Sequence, residues 1–64
     1  MEKLYNVPRN SKIGVEHLDL FDKDGKQIKE LDFEHVDGMY AHCRYKGKIV
    51  YLFSTTEVLI IDKK

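Results

Sequence analysis

His17, His35, His42 and Cys43 carry the softest and most nucleophilic donors in this chain, so they pose the first question of chemistry. Zinc needs three or four such groups converging, typically from closely spaced pairs. The one adjacent pair, His42-Cys43, falls in a stretch of strand character, where neighbours point to opposite faces. The same alternation prevents His42 from serving Cys43 as a base, because that mechanism requires a hydrogen bond between nucleophile and base. Asp22-Lys23-Asp24-Gly25 has the opening of a calcium loop, but the third acidic ligand and the distant bidentate glutamate do not follow at the required spacing. No glycine-rich phosphate loop, nucleophile elbow or HExxH pattern occurs. These residues therefore predict no enzyme, no metal and no cofactor. They read as structural histidines, a buried core thiol and a plain turn.

Tyr40, His42, Arg44, Ile49, Tyr51 and Phe53 offer a different chemistry, that of a binding surface. A two-residue Lys46-Gly47 loop would pair the flanking strands so that one face gathers Met39, Ala41, Cys43, Val50 and Leu52, with Tyr45 and Lys48 at its end. The opposite face then gathers the six residues named above. A small barrel can fill its interior with only one of these sets. The aliphatic set suits a core, whereas large rings mixed with His and Arg match the composition of interfaces. The competing arrangement has the rings in the core, or covered by the N-terminal segment.

Turn signals supply the elements that must hold this face. Asp22-Lys23-Asp24-Gly25 reads as a type I turn closing on a left-handed glycine, Asp37-Gly38 as a hairpin, and Lys46-Gly47 as a second, weaker hairpin. Strands are expected near Ile13–Phe21, Lys26–Val36, Met39–Tyr45 and Lys48–Phe53. Ser54-Thr55-Thr56-Glu57 has capping-box spacing, which predicts a short helical or 3₁₀ turn before a last strand at Val58–Ile61. Pro8 confines the segment from Leu4 to Ser11 to an edge strand followed by a loop. The expected core is Ile13, Val15, Leu18, Leu20, Ile28, Leu31, Phe33, Val36, Met39, Ala41, Cys43, Val50, Leu52, Val58 and Ile60. Its phase changes between Ile28 and Leu31, which predicts a bulge or bend near Lys29-Glu30.

The 64 residues, 42% of them hydrophobic and 34% charged, bound the answer to one small globular domain, residues 1–64. Five short strands with hairpin links and a single turn before the last resemble an all-β, SH3-like small barrel; an OB-like barrel is the alternative. Net charge is zero, which counts against generic binding to phosphate backbones. The charge is unevenly placed: between Glu16 and Asp37 eight acids face three lysines, a net of −5. One cysteine cannot form an internal disulfide, and no stretch approaches the roughly 20 apolar residues of a membrane helix. A soluble protein of the cytoplasm is expected.

The pieces Leu4-Tyr5-Asn6-Val7-Pro8-Arg9 and Phe33-Glu34-His35-Val36-Asp37-Gly38-Met39-Tyr40, followed by Cys43 and Thr56-Glu57-Val58, are similar to short uncharacterised proteins of bacteriophages. The resemblance spans most of the chain and carries no catalytic motif. It implies a phage-encoded protein, acting in the host cytoplasm. With the aromatic face, it leads to the expectation of a non-enzymatic module that binds a protein partner, or itself, and modifies or inhibits a host factor. Single-stranded nucleic acid on the aromatic platform is one alternative, and a small ligand held between protomers of an oligomer is another.

Overall fold

Wherever alternating apolar residues give way to Asp, Lys and Gly, the chain folds back on itself. The computed structural model describes residues 1–62. Its strands are β1 (Glu2–Lys3), β2 (Ser11–Gly14), β3 (Leu20–Phe21), β4 (Gln27–Ile28), β5 (Glu30–Asp37), β6 (Tyr40–Tyr45), β7 (Lys48–Phe53) and β8 (Glu57–Asp62). Short 3₁₀ turns occupy Leu4–Asn6 and Glu16–Leu18. The protein is all-β. No helix among the described residues is long and apolar enough to cross a membrane.

Six strands form one sheet in the order β1-β8-β2-β5-β6-β7, while β3 and β4 pair as a separate hairpin. The expected closure into a barrel is absent, because β1 and β7 end the order without pairing to each other. At one of these edges β1 is only two residues long before the chain turns away as 3₁₀ at Leu4–Asn6, and two interruptions divide the strands expected from sequence. The stretch expected as one strand from Ile13 to Phe21 is broken by the 3₁₀ turn at Glu16–Leu18, which ends on Asp19 in the left-handed region. The next stretch, expected to bulge or bend near Lys29-Glu30, is interrupted at Lys29 between β4 and β5, and the Val15 N–H donated to the Lys29 carbonyl at 2.8 Å carries the β2–β5 pairing up to that break. Between these breaks the chain leaves the sheet and forms the β3–β4 hairpin. Gly25 (φ 81°) closes its turn, and Asp22 Oδ1 accepts N–H groups of both Asp24 and Lys26 at 2.9 Å.

The N-terminal segment differs from its expected form. Only Glu2–Lys3 is an edge strand, and Leu4–Asn6 turns inward as 3₁₀. Leu4 and Tyr5 donate their N–H groups to the carbonyls of Thr56 (2.9 Å) and Ser54 (3.1 Å), which ties this segment across the β7–β8 connection. That connection is a single turn closed by the i→i+3 bond from the Thr56 N–H to the Phe53 carbonyl at 2.9 Å, the bond of a 3₁₀ turn and so one of the two forms its capping-box spacing predicts, though not a helix.

The buried core consists of Leu4, Val7, Ile13, Val15, Ile28, Leu31, Phe33, Ala41, Cys43 and Val58, with Leu18, Leu20, Val36, Val50, Leu52 and Ile60 packed against it. Met39, expected inside, lies in the Gly38-Met39 loop and is exposed. Leu4 and Val7 take up the interior volume instead. Ser11 is buried beside them, its hydroxyl donating to the Pro8 carbonyl at 2.6 Å.

Leu4 is fully buried although it precedes every long strand. Leu4→Ala should therefore cost about 2–5 kcal/mol, the range for truncating a buried leucine. Urea denaturation followed by circular dichroism will measure it; a cost under about 0.5 kcal/mol, typical of a surface site, would contradict the packing described.

Candidate functional site

The β6–β7 hairpin is set by its loop. Lys46 (φ 49°) and Gly47 (φ 81°) both adopt positive φ, as a type I′ turn demands, and Tyr45 closes against Lys48. From there the register runs without a bulge through Arg44↔Ile49, Cys43↔Val50, His42↔Tyr51, Ala41↔Leu52 and Tyr40↔Phe53. This is the expected register. Ala41 and Cys43 are buried and Val50 and Leu52 half-buried on the inner face. On the outer face Tyr40, Ile49, Tyr51 and Phe53 are 47%, 50%, 57% and 55% exposed, and Arg44 is exposed with them.

The rings on this face touch one another. Tyr40 and Phe53 stack with centroids 5.4 Å apart, while His42 meets Tyr51 edge-on at 5.0 Å and Tyr40 meets Tyr51 edge-on at 6.5 Å. Such contacts restrict the rotamers open to the rings. Asp37, Tyr40, His42 and Tyr51 line a shallow depression of about 390 Å³.

Two neighbours of this face were not identified from sequence. A β-bulge between Phe33 and His35 turns His35 outward, opposite His42, and the two imidazoles stack at 4.4 Å. At the same bulge Glu34 accepts from Arg44 Nε at 2.8 Å, so Arg44 is held by an ion pair at the rim of the aromatic group. The available signal was the spacing of Phe33 and Val36. Two inward apolar residues three apart in one strand require an extra residue between them.

His17 stands apart from the other histidines, with Nε2 2.7 Å from the Glu57 carbonyl. A carbonyl only accepts, so this nitrogen carries the proton and His17 ties the 3₁₀ turn to β8. His42 and Cys43 point to opposite sides of β6, and no cluster of three or more His, Cys, Asp or Glu side chains that could hold a metal is found among the described residues. A second cleft, of about 440 Å³, lies between the β3–β4 hairpin and the β6–β7 tip, with Phe21, Ile28, Tyr45 and Ile49 in its wall. Asp22 at its mouth accepts a 3.3 Å bond from the Tyr45 hydroxyl. The Lys26 and Asp24 backbone N–H groups, with this hydroxyl, hold the Asp22 carboxyl below its ordinary range against the opposing effect of burial.

Comparisons with protein families, with characterised proteins and with solved structures give no match to this chain. The arrangement itself is the guide to function. It offers aromatic surface whose rings contact one another and an arginine paired with Glu34.

Cys43, a free thiol, lies in the core. Burial, with a smaller contribution from the Glu34 charge, pushes its thiol up to about 12 from an ordinary value of 9.0. The folded protein should therefore resist iodoacetamide near pH 8 and react fully once unfolded. Because the unfolded thiol ionises first, stability should fall as pH rises from 9.0 toward 12. Cys43→Ala should flatten that alkaline slope. Rapid alkylation of the native protein would contradict the assignment of Cys43 as a core residue.

Proposed function

We propose that this chain is a non-enzymatic binding module whose outer β6–β7 face docks a protein partner. The reading rests on the exposed ladder of Tyr40, Tyr51 and Phe53. These rings touch one another and stay about half exposed among the described residues, and contiguous apolar surface of this kind marks interaction sites. His42, Arg44 and Ile49 complete the contact surface.

An SH3-like architecture belongs to the same proposal, supported by the two-residue hairpin links and the single turn before β8. The resemblance to phage proteins supports a phage-encoded factor that works in the host cytoplasm by modifying or inhibiting a host protein. Single-stranded nucleic acid would also use stacked rings. Asp32, Glu34 and Asp37 border the same face, however, and their charge opposes a phosphate backbone.

Tyr51 lies between Tyr40 and His42 and should act as the centre of binding energy, so Tyr51→Ala should weaken partner binding by about 2 kcal/mol, roughly 30-fold. Tyr40→Ala should weaken it less. Both variants should keep the circular dichroism of the parent, since neither ring is in the core. Affinity capture from host extract, comparing parent with variants, tests this; unfolding of both variants, or capture unaffected by either, would remove the basis for the proposal.

A further inference from the structure

We infer that β7 is a pairing edge for a second copy of this chain, joined antiparallel about a two-fold axis at Tyr51. This goes beyond the face-binding reading, because it concerns backbone at the rim of the sheet. β7 ends the strand order, and among the described residues no strand pairs with its outer side. The Tyr45↔Lys48 closure and the Ser54 N–H donated to the Met39 carbonyl at 2.7 Å phase the hairpin. Lys48, Val50 and Leu52 direct their backbone groups to β6, so those of Ile49, Tyr51 and Phe53 point off the rim. Of these, the Phe53 carbonyl already accepts from Thr56.

The two rims of the sheet differ. β1 is two residues long and both are charged. β7 is six residues long, regular in register, and free of proline, with one lysine at its start. Long, regular apolar edges recruit other strands unless they are blunted, and β7 carries little to blunt it.

The register selects the occupant. Antiparallel alignment about Tyr51 sets Ile49 against Phe53 and Tyr51 against itself, using all three rim residues. Shifting the axis by one position leaves a rim residue unmatched. In the chosen alignment Val50 meets Leu52 and Lys48 meets Ser54, so no like charges are opposed. On the outer face the row His35, His42, Tyr51 continues into the same three residues of the second copy in reverse. Closed two-fold pairing of this kind is the commonest way for a small domain to gain buried surface.

Residue 51 opposes itself in this dimer, which gives a decisive test. Tyr51→Lys and Tyr51→Glu should each sediment as monomers, and their equimolar mixture should recover twice the monomer mass. The unaltered chain should pass from one to two monomer masses with rising concentration. Over the same range the amides of Ile49, Tyr51 and Phe53 should slow in hydrogen exchange, while those of Val50 and Leu52 stay unchanged. That measurement stands even if the charged variants fail to fold. Tyr40→Ala, one strand inside the rim, should keep the dimer whether or not it loses a captured partner, which separates this inference from the face-binding reading. A monomer at every concentration, a mixture that does not dimerise, or assembly beyond two copies would overturn it.

Discussion

The Lys46-Gly47 turn is the constraint on which the site depends. Side chains alternate along a strand, so a slip of one residue in the β6–β7 pairing would exchange the two faces completely. Ala41 and Cys43 would then face solvent, and Tyr40, His42 and Arg44 would enter the interior. Two consecutive positive φ values, one at Lys46 and one at Gly47, admit the tight loop that fixes the observed pairing. The left-handed Lys46 carries some strain, but its ammonium sits 5.3 Å from the Tyr45 ring centroid, a favourable position for a cation over an aromatic face. The turn thus decides which residues are core and which are surface.

The bulge in β5 acts on the same face from the other side. With strict alternation from Leu31 and Phe33, His35 and Asp37 would point inward, where an unpaired carboxylate and imidazole would be costly. The extra residue at Glu34 restores Val36 to the inner face against Ala41 and sends His35 outward against His42. Glu34 then lies beside Arg44 and Asp37 near His42, the latter pair at 4.0 Å. One inserted residue accordingly places a hydrophobic side chain inside and an acidic and imidazole fringe outside.

These two irregularities differed in how legible they were. The β6–β7 register followed from loop length and side-chain period, both local, and the same reasoning separated the inner Ala41, Cys43, Val50 and Leu52 from the outer rings. The interruption at Lys29 was visible as a change of apolar phase. The bulge at Glu34 was equally encoded, by Phe33 and Val36, but reading it requires knowing that both face one core. Leu4 and Val7 were obscured for a related reason. Pro8 marked their segment as peripheral by backbone rules, whereas their burial depends on the segment being tied to the β7–β8 connection and lying beside Phe33 and Val36 of β5. The break at Glu16–Leu18 had no strong local signal, since Val15, Leu18 and Leu20 remain apolar throughout. Closure into a barrel depends on the meeting of distant edges, which strand patterns do not specify.

Why the aromatic rings stand outside can also be argued from the core. Phe33 is the largest fully buried side chain, and with Leu4, Ile13 and Leu31 it fills the space between the strands. An interior of this size cannot take Tyr40, Tyr51 and Phe53 as well. A purely structural role for them remains available on energetic grounds, because outer cross-strand pairs such as His42–Tyr51 and Tyr40–Phe53 each stabilise the ribbon by about 0.2–1 kcal/mol. Smaller β-branched pairs would give the same ribbon comparable support while exposing far less apolar surface. The excess of exposed ring over what the hairpin needs, carried by the strand that ends the sheet among the described residues and by its neighbour, is the observation that supports the proposed binding role.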